Sequence, residues 1–163
     1  EKVMISVYDE DKLLDGEIDK DILDEIWCEL LSTLGLKDEF EAELTVVSKD
    51  EIKSLNNEAR GVDAVTDVLS FPAMNVTLPF DKEAHKEDKD PETGNYILGD
   101  IALCAERAVE QATEFGHSVK REVCYLVLHG LCHLFGFDHE TEEDKRKMRK
   151  VEEDVLSGLG ITR

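Results

Sequence analysis

The chain has 163 residues, enough for one domain around one core, and its 41% apolar and 36% charged residues are the balance of a globular fold rather than a disordered chain. A net charge of −20 excludes a protein that coats nucleic acid by general electrostatics, because that requires lysine and arginine to neutralise phosphates. No apolar run approaches the ~18 residues of a membrane span, and no basic-then-apolar leader is read, so a cytoplasmic protein without a membrane partner is expected.

Val3, Ile5 and Val7 alternate with other residues as a first strand does. Ile18, Ile22, Leu23, Ile26, Trp27, Leu30, Leu31 and Leu34 recur at intervals of three and four, which predicts a long amphipathic helix closed by Gly35. Leu44 and Val46 mark a second strand. Ser48 and Glu51 form a capping box for a short helix that turns Ile52 and Leu55 inward. Val65 to Phe71 is rich in β formers and stops at Pro72. Residues 81–95 are polar and aperiodic, with Pro91 and Gly94, and read as a flexible surface loop within a single domain spanning 1–163.

Strand-like residues resume from Tyr96 to Cys104, interrupted by Gly99 and Asp100. Ala105 to Phe115 reads as a helix ended by Gly116. Ser118 caps the next helix, which buries Val119, Val123, Leu126, Val127 and Leu134 on one side. Met148, Val151 and Val155 give a last helix its apolar edge. The order β-α-β-α-β-β-α-α-α predicts an α+β domain, a small mixed sheet packed with several helices.

The chemistry concentrates between His129 and His139, in the pattern H-x-x-x-H-x-x-G-x-x-H. His129 and His133 are four apart and leave a helix from one face, one turn apart. Gly136 lets that helix stop and the chain turn back, and His139 follows on the returning segment. Three imidazoles converging this way suit zinc and leave its fourth position open to a water, which implies catalysis more than structure. The bland alternative is histidines that decorate a helix end. The spacing is that of the long zincin motif, but Gly130 stands where the protease version carries its glutamate base. A glycine cannot take a proton, which weighs against proteolysis.

Other features are quieter. Cys28, Cys104, Cys124 and Cys132 show no C-x-x-C pair and are expected reduced; Cys132 should point away from the histidine face as a small packed hydrophobe. The basic run Lys145, Arg146, Lys147, Arg149 and Lys150 is flanked by acids and reads as a solvated helix laced with ion pairs. His85 and His117 are expected to be exposed or capping rather than ligands.

With these residues placed, the chain resembles the YbeY family of metal-dependent rRNA-maturation endoribonucleases. The resemblance rests on HGLCHLFGFDH, on Asn56 to Arg60 followed by the Thr66–Pro72 block TDVLSFP, and on Leu98, Gly99, Asp100 and Ile101. Ala59, Cys132 and Phe137 depart from it without touching a proposed ligand. The resemblance implies one zinc per chain held by His129, His133 and His139, with Arg60 as the catalytic arginine. It implies single-strand-specific cleavage in rRNA maturation, including 3′-end processing of the 16S type, and ribosome quality control. Implied partners are rRNA, the small ribosomal subunit, a ribosomal protein and an assembly GTPase. A bound zinc water ionises near neutrality without a glutamate base, and an arginine can stabilise charge on an attacked phosphate. Ser70 is a candidate substrate contact, against a structural role at a strand end. Asp100 and Asp138 are candidates to receive a ligand's free ring N–H, with a turn as the alternative for Asp138. Two other functions compete: a metallopeptidase-like zinc hydrolase, and a ribosome-assembly binding factor with little catalysis.

Overall fold

A computed structural model describes residues 5–161. Four strands form one sheet in the order β1-β2-β4-β3, with β1 (Ile5–Tyr8), β2 (Phe40–Val47) and β4 (Tyr96–Cys104) parallel and β3 (Val68–Pro72) antiparallel to β4. The helices are α1 (Lys20–Leu34), α2 (Lys49–Arg60), α3 (Ala105–Phe115), α4 (Val119–Leu134) and α5 (Glu142–Gly158). This is the mixed sheet with packed helices that the periodicity predicts, in the predicted order. Val3 lies outside the described residues.

Local chemistry sets most boundaries. The Asp19 carboxylate accepts from the Ile22 amide, so α1 starts after Ile18 rather than at it, and Gly35 closes the helix. Ser48 and Glu51 exchange the two hydrogen bonds of a capping box at the head of α2. β3 begins at Val68, later than the β-forming residues from Val65 suggest. There the Asp67 carboxylate accepts from the Val68 amide at 2.7 Å, and Asn56 holds the Ala64 carbonyl at 2.9 Å. Those side-chain bonds favour a turn over a ladder.

Side-chain alternation along β4 divides the core. Leu98, Ile101 and Leu103 enter the main cluster with the buried faces of α1 and α4, which include Leu23, Trp27, Leu30, Val127 and Leu131. Ala102 and Cys104 point to the other face, where Ile52 and Leu55 of α2 cover them. Residues 81–95 carry a 3-10 turn at Glu83–His85 and a bridge from Lys89 to Tyr96. His85 is mostly covered rather than exposed: it stacks on Phe80 with ring centroids 5.0 Å apart and bonds Asp88. His117 differs from expectation in the same way, because its Nε2 meets the buried Glu122 carboxylate at 2.6 Å at the α3–α4 corner. An acid at the head of a helix can hold a histidine that arrives from the preceding turn, and burial makes the pair mutual.

α4 packs on β3 and β4 and is flanked by α1, α3 and α5. It lies tightly against the sheet at Gly130, where a Cβ would lie 3.0 Å from Ile101 Cδ1 and 3.1 Å from its Cγ2. Gly130 is thus a packing requirement as well as a missing base. Alanine there gains up to about 1 kcal/mol of helix propensity and loses about 1–3 kcal/mol to overpacking. The cost of Gly130→Ala should fall by at least roughly 0.5 kcal/mol when Ile101 is valine, which lacks Cδ1. Denaturant unfolding of the four proteins in that cycle measures the coupling. Equal costs in both backgrounds would place the clash elsewhere.

Candidate metal centre

The site is built at the end of α4. Ser118 caps the helix by accepting from the Arg121 amide, and the buried stripe through Val123, Val127, Leu131 and Leu134 fixes its rotation. That rotation sends His129 and His133 together towards β3. The helix then closes by bonds from the Gly136 amide to the His133 carbonyl and from the Phe137 amide to the Cys132 carbonyl. Gly136 has φ +98°, and a Cβ on it would lie 2.4 Å from the Val76 carbonyl oxygen, so no other residue fits. The turn brings His139 back, and one ligand atom from each of the three histidines lies within 4.8 Å of the others.

Hydrogen bonds fix two of the rings. His133 Nδ1 donates to the Phe137 carbonyl at 2.9 Å, and His129 Nδ1 donates to the Glu152 carboxylate at 2.8 Å. Neither a carbonyl nor a carboxylate can donate in return, so each Nδ1 carries a proton, and in the neutral ring each Nε2 presents a lone pair. Those two Nε2 atoms face each other at 3.2 Å. In these neutral tautomers neither has a hydrogen to offer, and the lone pairs repel unless a cation lies between them. Nitrogens bound to one tetrahedral zinc at 2.0–2.1 Å would be about 3.3 Å apart. The donor set therefore fits a transition metal. Burial, with the adjacent His129 and His139, lowers the His133 pKa and favours the neutral form that coordinates.

The three histidines share an open cleft of about 530 Å³ with Arg60, at the end of α2, and with the Thr66–Ser70 segment of the β3 approach. The structure thus brings Arg60 of α2 to the same cleft as His129 and His133 of α4 and His139 of the turn that follows. Ser70 also lines the cleft, but its Oγ donates to the Gly130 carbonyl at 3.0 Å, tying β3 to α4. Asp138 lines it too, yet its carboxylate accepts from the Glu140 amide, so it shapes the turn and bonds no histidine.

Asp100 is a correction. It is exposed, shares the sheet face of Ala102, and lines a separate hollow with Glu41, Glu43 and Asp90. Glu152 of α5 does the work expected of it. Sequence reasoning missed Glu152, although a signal existed: it sits four residues after Met148 and three before Val155, on the inward stripe of an otherwise polar helix. A carboxylate on an apolar stripe needs a partner. Cys132 is buried on the far side of α4, and burial pushes its thiol well above the ordinary range, as a packed hydrophobe rather than a ligand.

Removing the carboxylate that orients His129 should cost metal affinity without removing a ligand. Glu152→Gln is expected to weaken metal binding by roughly 10- to 100-fold, the usual range for such support. Asp100→Asn should leave it unchanged. Competition against a chromophoric chelator measures both. Equal affinities for Glu152→Gln and the unaltered protein would mean that the contact orients nothing.

Residues 5–160 match the family model for Endoribonuclease YbeY. Similar curated proteins carry the same name: one from Lachnospira eligens is 38% identical over 96% of both chains, and one from Clostridioides difficile is 41% identical over 94% of both. A relative from Finegoldia magna is 42% identical, covering 98% of this chain and 94% of its own. The solution structure of TM1509 from Thermotoga maritima is 32% identical, with a TM-score of 0.52 over 96% of this chain and 91% of that one. With the fold, the three histidines and the matched length all in agreement, the chain belongs to the YbeY endoribonuclease family.

Proposed function

We propose that this protein is a zinc-dependent endoribonuclease that cuts single-stranded RNA in the maturation of ribosomal RNA, including 3′-end processing of the 16S type, and in ribosome quality control. The observation that carries the reading is the pair of imidazole Nε2 atoms at 3.2 Å in an open cleft that an arginine also lines, in a chain whose relatives are named endoribonucleases. His129, His133 and His139 would hold one zinc ion. When bound, that ion supplies an acidic water and a Lewis acid for a phosphoryl oxygen.

The chain's own residues do the rest. Arg60 is exposed at the rim of the cleft and offers paired N–H donors to phosphoryl oxygens, where negative charge develops during attack. Glu152 and the Phe137 carbonyl hold His129 and His133 in the tautomer that points Nε2 inward. Ser70 keeps the β3 wall against α4. The cleft lining carries one cationic side chain, which suits a single exposed phosphodiester rather than the many phosphates of a duplex. The substrate would be rRNA on or near the small ribosomal subunit, in the cytoplasm. A net charge of −20 suits docking to a basic ribosomal protein, with an assembly GTPase as a further partner. Among the described residues no helix is long and apolar enough to cross a membrane.

Cleavage of labelled single-stranded rRNA should stop on chelation and return with zinc, and His133→Ala should not recover. Arg60→Ala should retain metal and fold but lose roughly a hundredfold or more in rate, with lysine a poor replacement because it lacks the paired-donor geometry. A loss confined to KM would make Arg60 a binding residue only. Chelator-sensitive hydrolysis of casein by the unaltered protein would favour the peptidase alternative. Tight subunit binding with no RNA cleavage would favour the assembly factor.

A further inference from the structure

The turn from Gly136 to Asp138 has a hollow on each side. One is the histidine cleft. The other, of about 310 Å³, is walled by Val76, Leu78 and Phe137, with Asp138, Asp144 and Lys147 around its polar side. Phe137 is half-buried, packs against the edge of the main core and lines both hollows. The metal chemistry uses only its backbone carbonyl.

We propose that this second hollow receives an unstacked base of the RNA strand, the neighbour of the phosphodiester held at the histidines, stacked on Phe137. The proposal rests on the endoribonuclease reading and names how that site grips its substrate. A chain of net charge −20 has little to gain from general attraction to phosphates. The two hollows offer only Arg60 and Lys147 as cations, so counterion release is limited to about two phosphates and a salt slope near 0.7 for each. Affinity must then come from contacts that ignore charge, and base stacking on an aromatic ring is the strongest of these for single strands.

The polar side of the hollow agrees. The carboxylates of Asp138 and Asp144 repel a phosphate and accept from N–H or O–H donors, which a base edge and the ribose 2′-hydroxyl carry and a phosphodiester does not. Lys147 is exposed and only loosely paired with Glu143, at 3.9 Å, so it can meet the phosphate beyond that base. An unstacked base is available only in a single strand.

The test places 2-aminopurine in turn at each position of a short single-stranded RNA and reads its fluorescence on rapid mixing with the zinc-loaded protein, before cleavage. Quenching is expected at one position beside the cut, kept in Phe137→Tyr and lost in Phe137→Leu. An abasic residue at that position should raise KM roughly five- to a hundredfold, with kcat little changed, in the unaltered protein but not in Phe137→Leu. Lys147→Ala, an exposed change, should lower the salt slope by about 0.7, and keeps the test open if Phe137→Leu fails to fold. RNA cleaved normally with no quenched position, or with equal quenching in Phe137→Leu, would overturn the subsite and leave the nuclease reading standing. Zinc-loaded protein that neither binds nor cuts RNA would overturn both.

Discussion

The site depends on how closely α4 lies on β4. With only a hydrogen at position 130, the helix backbone settles against Ile101, and the Ser70 hydroxyl reaches the Gly130 carbonyl at 3.0 Å. That contact sets the height of His129 and His133 above the sheet and brings the β3 approach alongside them. A side chain at 130 would lift the helix, lengthen the Ser70 bond and widen the cleft that Arg60 must span. The packing of one glycine thus governs the chemistry of its neighbours, through distances that a close-packed interior cannot absorb.

A second constraint acts on the same helix end. The turn at Gly136 returns His139 to the site and presents the Phe137 carbonyl to His133 Nδ1. One backbone reversal therefore supplies one histidine of the cluster and orients another. His129 is oriented from outside the motif, by Glu152 of α5, so the last helix must be docked for the first ligand to be set. Binding a metal then stabilises the docked arrangement, since an ion that prefers the native geometry adds RT ln(1 + [L]/Kd) to its stability.

Much of this was legible in the residue pattern, for reasons of locality. The histidines fall within eleven residues of helix and turn, so their convergence follows from helical spacing and one glycine. α3 runs from Ala105 to Phe115 as its period and Gly116 predict, because the signals lie inside the element. The failures lie where a partner is distant in sequence. Glu152 and His129 are 23 residues apart and meet only through the packing of α5 on α4. Asp100 was a candidate as a carboxylate that could receive a ring N–H, but alternation puts it on the sheet face away from α4, and the register shift between Glu41 and Ala42, opposite Ile97 and Gly99, hides that parity in the sequence. His85 lies in a charged loop and His117 near a helix start, which suggested exposed or capping roles; their partners are an aromatic ring and a buried carboxylate.

The zincin spacing and the nuclease family meet in one helix, and position 130 shows how they part. A metallopeptidase needs a carboxylate there with room to reach the attacking water. Here that position faces Ile101 rather than the cleft, so a glutamate would lack both space and direction. Hydrolysis in this cleft must draw on different help. A phosphodiester already carries negative charge and gains more in its transition state, so on the proposed function a cation such as Arg60, which lines the cleft, would stabilise the reaction where a peptide bond would find nothing comparable. The same histidine spacing can serve different chemistry where the groups around it stabilise different charges.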